Sequence, residues 1–264
     1  MDNIIFSIIH YLQSLSAELL SLILFLTCSV IILAMLRFFG AVGLYAYSTI
    51  AIIMANIQVL TVAEFSFSSK PIALGTVVFA TTFLVSDILT EHYNKKTAQT
   101  ALWLSFWGQI VVTIVMVLAL GYKPIECNSL PSEVSTVCAT NSLAMLKLFS
   151  PSPRLLIASL SAYAISQLFD IWVFQKIKDL SHNRWLWLRV NTSTLLSGLL
   201  DNTVFSVIAW VILSSTPVDF STLVFTFILG TYLMRVIISF LSTPIIYLSY
   251  YFLPKIDLSH EHKL

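Results

Sequence analysis

Charge is what this chain has least of. Only 10% of its 264 residues are Asp, Glu, Lys or Arg, where soluble domains carry about 25%. Such a chain cannot cover a water-facing surface, and nothing along it reads as a soluble domain. The net charge is +1 and no basic cluster exceeds a few residues, so the electrostatic footprint of a nucleic-acid binder is missing. There are three cysteines. Cys28 sits in an apolar run and reads as a packing residue; Cys127 and Cys138 share a polar stretch with no histidine near them, a spacing that does not match a zinc site. The five histidines, His10, His92, His182, His260 and His262, are expected in loops or tails, so neither metal nor cofactor is expected. No Gly-rich phosphate loop occurs, which excludes nucleotide hydrolysis by the chain itself. The N-terminus MDNIIFSIIH lacks a basic n-region, so a cleavable signal peptide is not expected. Long repeats and low-complexity segments are absent.

What is present is apolar. Hydrophobic residues make up 58% of the chain and the mean hydropathy is +0.89, the composition of an integral membrane protein. A spanning helix needs about 20 mostly apolar residues. The expectation is an all-α polytopic bundle of six to seven transmembrane helices in one domain, 1–264. An N-terminal interfacial helix occupies 1–16, and spans are expected over Glu18–Phe38, from after Gly40 to near Glu64, Pro71–Glu91, Ala98–Leu120, Pro153–Gln175 and Asn191–Ser214. A last run, Ser221–Leu253, is too long for one straight span, and Pro244 is expected to kink or divide it. The stretch 121–152 reads as an external polar loop and 254–264 as a cytoplasmic tail.

With seven spans, one side of the membrane carries Arg37, Lys95, Lys96, Lys176, Lys178, Arg184, Arg189, Lys255 and Lys263, and the other only Lys70, Lys123, Lys147 and Arg154. The excess of basic residues places the C-terminus in the cytoplasm. It places the 121–152 loop outside, where a Cys127–Cys138 disulfide could form. Six spans, with one segment re-entrant, is the alternative.

Ionisable residues inside such spans are costly and are functional candidates by default. Asp170 and Asp201 each sit in an apolar segment. Gln167 lies three residues before Asp170, on the same helix face. Asn191, Thr194, Ser197 or Gly198, and Asp201 form a small polar stripe at helical spacing, widened by Asn202 and Ser193, that permits close approach of a helix or ligand. Asp87 and Glu91 share a face; interfacial pairing of Glu91 with Lys95 or Lys96 is the structural alternative. Arg189, at the start of the sixth span, could neutralise an acid. Arg235 can hardly lose its proton and is expected to pair with one of the acids or line a wet cavity. Asn56 and Gln58 point in different directions on a helix and read equally as helix–helix hydrogen bonding; Gln109 reads as packing. Trp185 and Trp187 read as interfacial anchors, with stacking on a flat substrate as the sharper alternative. No catalytic residue is expected. Two acids on adjacent helices imitate an intramembrane aspartyl protease, but the sequence around Asp201 is GLLDN, without the Gly-x-Gly-Asp arrangement of such enzymes.

Five segments, ANIQV at 55–59, SDILTEHYNKKTAQ at 86–99, SQLFDIWVFQKIK at 166–178, LWLRVNTSTLLSGLLDNTVF at 186–205 and STPIIYL at 242–248, together resemble the queuosine precursor transporters, a vitamin-uptake-transporter-like family. The resemblance covers about Ala51 to Tyr247. It implies a compact helical bundle in the bacterial inner membrane importing deazaguanine bases for tRNA modification, with the nucleobase and the bilayer as partners and no nucleic acid; a homodimer is left open. A guanine-like base presents adjacent N–H donors that a carboxylate accepts in pairs, while Asn or Gln meets its carbonyl and ring nitrogens. Asp87, Asp170, Asp201, Asn56 and Gln167 supply such groups, and the sequence does not choose among them. Against the family pattern, Leu60 and Thr61 stand where a lysine is common, Gly198 replaces a glutamine, Ser242 an acid and Arg235 a lysine. Glycine at 198 suggests an enlarged pocket and a bulkier base such as queuine. The alternatives are a substrate-binding subunit of a multi-protein vitamin importer and, further off, an intramembrane aspartyl enzyme.

Overall fold

The computed structural model describes residues 2–66, 72–122, 132–149 and 153–254. Lys70, Pro71, Lys123, Cys127, Lys255, Lys263, His260 and His262 lie outside the described residues. The elements are α1 (Asp2–Gln13), α2 (Ala17–Gln58), β1 (Val62–Ala63), β2 (Ile72–Ala73), α3 (Gly75–His92), α4 (Lys95–Leu120), α5 (Ser132–Phe149), α6 (Pro153–Leu180), α7 (Leu186–Val207), α8 (Phe220–Thr222) and α9 (Leu229–Ser249), with π-helical turns over Ile208–Ile212 and Leu223–Ile228. The protein is an all-α membrane bundle. Among the described residues, five helical segments are long and apolar enough to cross a bilayer: Ala17–Gln58, Lys95–Leu120, Leu155–Leu180, Leu186–Ile212 and Phe220–Ser249.

The first of these cannot be one rod. Forty-two residues at about 1.5 Å each would reach twice the hydrocarbon thickness. The chain breaks at Gly40, where φ is +59° and ψ −138°. A β-carbon on Gly43 would lie 2.5 Å from the carbonyl oxygen of Met35, atoms that a straight helix keeps about 12 Å apart. The two arms therefore fold back on one another with no polar loop between them. The turn packs against Tyr93 and Pro254, and Arg37 donates to the Leu253 carbonyl at 3.0 Å. This puts the turn at the same end of the bundle as the α3–α4 junction and the end of α9.

Helix α3 is the axis. Every residue from Ala80 to Thr90 is buried, and α2, α4, α6 and α9 pack around it. A helix apolar on all sides belongs in the interior, and α3 is that helix despite its two acids. Its start differs from expectation: the helix opens at Gly75, and β2 just before it pairs antiparallel with β1, which follows α2, Val62 opposite Ala73.

Two further expectations change. The 121–152 stretch is not simply a loop, because Ser132–Phe149 forms α5; between its flanking prolines no Gly or Pro interrupts the Ala, Leu and Met residues that favour helix. In the last run, α9 continues helically through Pro244. The irregularity falls earlier, in the π turn Leu223–Ile228, where Asn202 Nδ2 donates to the Ile228 carbonyl at 3.0 Å and so satisfies a group the wider register leaves free. Cys138 is disulfide-bonded and Cys28 is free.

Gly40→Ala tests the turn. A side chain at this positive φ costs about 1–2 kcal/mol, and its β-carbon would crowd the Tyr93 hydroxyl at 3.1 Å. The expected outcome is a lower melting temperature of the detergent-solubilised protein; an unchanged one would show that the turn relaxes freely.

Candidate functional site

Four buried or nearly buried acids gather along and around α3, in two kinds of environment. Positions 82, 86 and 90 of α3 face α6. Thr82 accepts from Gln167 Nε2 at 2.8 Å, Ser86 Oγ donates to Asp170 Oδ2 at 3.1 Å, and the Thr90 carbonyl lies 3.3 Å from Lys178 Nζ. Positions 87 and 91 face α7. Thr194 Oγ1 donates weakly to Asp87 Oδ2 at 3.4 Å, and Arg189 Nη2 donates to Glu91 Oε1 at 2.6 Å.

Two of the acids have cations. Asp201 forms a close ion pair with Arg235 Nη2 and accepts from Ser166 Oγ at 2.9 Å. The Arg235 guanidinium also lies over the rings of Phe79 and Phe83, at 5.1 Å and 6.0 Å. Glu91 is held by Arg189, by Lys178 at 3.4 Å and by the hydroxyl of Tyr250, which donates to its Oε1. The expected pairing of Glu91 with Lys95 or Lys96 is therefore replaced. Lys178 reaches back from the end of α6, its main hydrogen bond going to the Glu91 carbonyl at 2.8 Å, while Arg189 arrives from the start of α7. Arg189 itself is only 2% exposed and stacks over Phe174.

Among the described residues, the other two acids have no cation in contact. Asp170, fully buried, accepts from Ser86 and from Ser197 Oγ at 2.8 Å. Asp87, 1% exposed, interacts directly with Asp170. Its Oδ1 has no hydrogen-bond partner. Among the four, Asp87 alone keeps a free acceptor with no cation beside it; the unpaired Oε2 of Glu91 has Lys178 within ion-pair reach.

Several other expected site residues are tied to neighbouring helices instead. Asn56 accepts from Ser159 Oγ at 3.0 Å and donates to the Ile52 carbonyl. Asn191 bridges α7 to α9 through Thr243 at 2.8 Å and Ser239 at 3.2 Å. Asn202 holds the π turn and Thr231. The Gln58 side-chain oxygen is buried without a partner at the end of α2. Residues that sequence reasoning did not select include Ser86, Ser166, Thr82 and Tyr250. Serine and threonine are too common in apolar helices to stand out, and Tyr250 resembles an interfacial anchor.

Gly198 does not open a pocket. A β-carbon there would sit 3.4 Å from Arg235 Cδ and 3.8 Å from a Tyr232 ring carbon. The volume that a larger residue would claim holds the stem of Arg235 on its way to Asp201. Glycine at 198 and arginine at 235 are thus one packing solution.

Two outcomes follow for the solubilised protein. Arg235→Ala leaves Asp201 buried without its cation and is expected to lose about 3–5 kcal/mol, much of it recovered when Asp201→Asn is added; equal loss in single and double variants would show no coupling. Gly198→Gln is expected to lower the melting temperature by displacing the Arg235 stem. Adding Arg235→Lys, with its slimmer head, should restore part of the loss, and strict additivity of the two changes would refute the shared-volume account.

The family described as "Putative vitamin uptake transporter" matches residues 73–249, a span that includes all four acids and both arginines. A "Probable queuosine precursor transporter" of Bacillus subtilis (strain 168) is 31% identical over 220 residues, covering 83% of this chain and 88% of the relative. No solved structure matches. By the extent of both matches, the chain belongs to the vitamin uptake transporter family.

Proposed function

We propose that this transporter imports deazaguanine bases, the queuosine precursors, across the bacterial inner membrane, and that Asp87 is the acid that receives them. The observation that carries this is the unpartnered, buried Oδ1 of Asp87 on the axial helix. A guanine-like base offers an N1–H and an exocyclic amine side by side, and a carboxylate accepts both. Asp201 and Glu91 are committed to cations, and Asp170 to two serines. Phe83, one turn before Asp87 on α3, belongs to an aromatic group in which Phe79 touches Phe83 and Tyr163 at 5.8 Å each. Asp170, Thr194 and Gln167 complete the surrounding polar shell.

The chain is read as seven crossings, the two arms of α2 followed by α3, α4, α6, α7 and α9. The Gly40 turn, the α3–α4 and α6–α7 junctions and the end of α9 then face the cytoplasm, as the basic residues favour. Queuine is the bulkier candidate substrate. Since the space over Gly198 is filled, any preference for it must come from elsewhere in the site.

The test is queuosine in transfer RNA, in a host that lacks its own transporter and precursor synthesis. The host carries a base-exchange enzyme suited to each base supplied at low concentration. Restoration by one base names the substrate. Asp87→Asn, present in the membrane at normal level, is expected to lower uptake about tenfold or more, the loss typical of a hydrogen bond to a charged group. No restoration by any base would favour the partner-dependent importer subunit over a solitary transporter.

A further inference from the structure

One turn beyond Asp87, on the far side of Glu91, lies a cavity of about 680 Å³, within the range of small-ligand sites. Its walls include Trp185, Arg189, Pro244, Tyr247, Tyr250 and Tyr251. Trp185, Tyr247 and Tyr251 are exposed, as interfacial anchors are, and together they line one open concave space with a buried arginine in its wall. Trp185 lies on that wall with a left-handed backbone, φ +56° and ψ +60°, and His182 and Asn183 just before it also have positive φ. Non-glycine residues held in this conformation carry strain that the surroundings must overcome, a feature that concentrates at functional sites.

The arginine supplies the second observation. Arg189 spends Nη2 on Glu91 and Nη1 on the Arg184 carbonyl at 3.4 Å, and its Nε is buried with no partner. A guanidinium accepts nothing; Nε has essentially no accessible surface, so the group left to answer an occupant's oxygen is Nη1, held only by the long bond to the Arg184 carbonyl. In a deazaguanine base the ring nitrogen next to the exocyclic oxygen on that edge is carbon, so the oxygen is the acceptor the edge offers. We infer that this cavity is a second station for the transported base, which stacks among Trp185 and Tyr247 and accepts through its exocyclic oxygen from Arg189. The inference rests on the substrate class proposed above. The two stations read opposite properties of one molecule: Asp87 its donors, Arg189 its acceptor.

Between the stations stands Glu91, joined to Arg189, Lys178 and Tyr250 from the ends of α7, α6 and α9. Arg189 and Tyr250 belong both to this closure and to the cavity wall. An occupant of the second station therefore touches Arg189 and Tyr250, two of the groups that hold Glu91.

The experiment is Trp185 fluorescence of the full-length protein in detergent, titrated with 7-deazaguanine and with 7-deazaadenine, which carries a donor amine in place of the oxygen. Uptake is measured in parallel in cells. Saturable quenching by 7-deazaguanine is expected, with 7-deazaadenine roughly tenfold weaker. Trp185→Phe should abolish the quench, and Tyr247→Ala should weaken binding about fivefold or more, as loss of stacking does. Asp87→Asn should keep the quench while losing uptake. Quenching that persists in Trp185→Phe, that treats both bases alike, or that disappears in Asp87→Asn would overturn the second station. Uptake without quenching would overturn it and leave the transport reading standing, whereas quenching without uptake of any deazaguanine would overturn the transport reading alone.

Discussion

No side chain of α3 between Ala80 and Thr90 reaches lipid or water, so Asp87 must find its partners on other helices. That single demand orders the rest of the bundle. A buried polar group without a partner forfeits a full desolvation penalty, and around an axial helix only the surrounding helices can supply one. Hence the serines and threonines of α3, α6 and α7 meet at the same levels as the acids. Each such bond is worth only about 0.6–2 kcal/mol in a membrane. Their number and spacing at every turn of α3 make them a register, so that α6 and α7 cannot slide along the axis without orphaning several groups together.

The acids divide by what answers them. Where a cation stands in contact, as at Asp201 and Glu91, the charges are neutralised in pairs that bridge helices. A buried pair of that kind adds little net stability but is expensive to break, which suits it to holding positions. Where no described cation stands in contact, as at Asp170 and Asp87, the carboxyls meet hydroxyls and each other, and Asp87 Oδ1 is left without a hydrogen-bond partner. The protein thus keeps paired and cation-free carboxyls side by side on three helices, α3, α6 and α7, distinguished by their neighbours alone.

The sequence showed the class, the positions of most apolar segments and the acids themselves, because charge inside a hydrophobic run is rare enough to be conspicuous. It did not show which acid was committed. That depended on partners distant along the chain, such as Lys178 for Glu91, whose place in a basic loop suggested only orientation. Helix α5 was hidden because its polar residues and flanking prolines outweighed a helix-favouring interior. The π turns were hidden because a change of register leaves no mark in composition. Gly198 shows the limit most plainly: a missing side chain reads as space, yet the neighbouring arginine occupies it.

The reversal at Gly40 bears on how the protein is made. Its residues, Arg37 to Gly43, include one charge and no polar side chain, and Phe38, Phe39 and Val42 are exposed. Nothing local tells the insertion machinery to turn an apolar stretch of 42 residues back through the bilayer. The contacts that hold the turn come from Tyr93 and from Leu253 and Pro254, Leu253 being synthesised 216 residues after Arg37. The hairpin of α2 must therefore wait in the membrane incompletely fixed until α9 and the residues after it arrive to lock it.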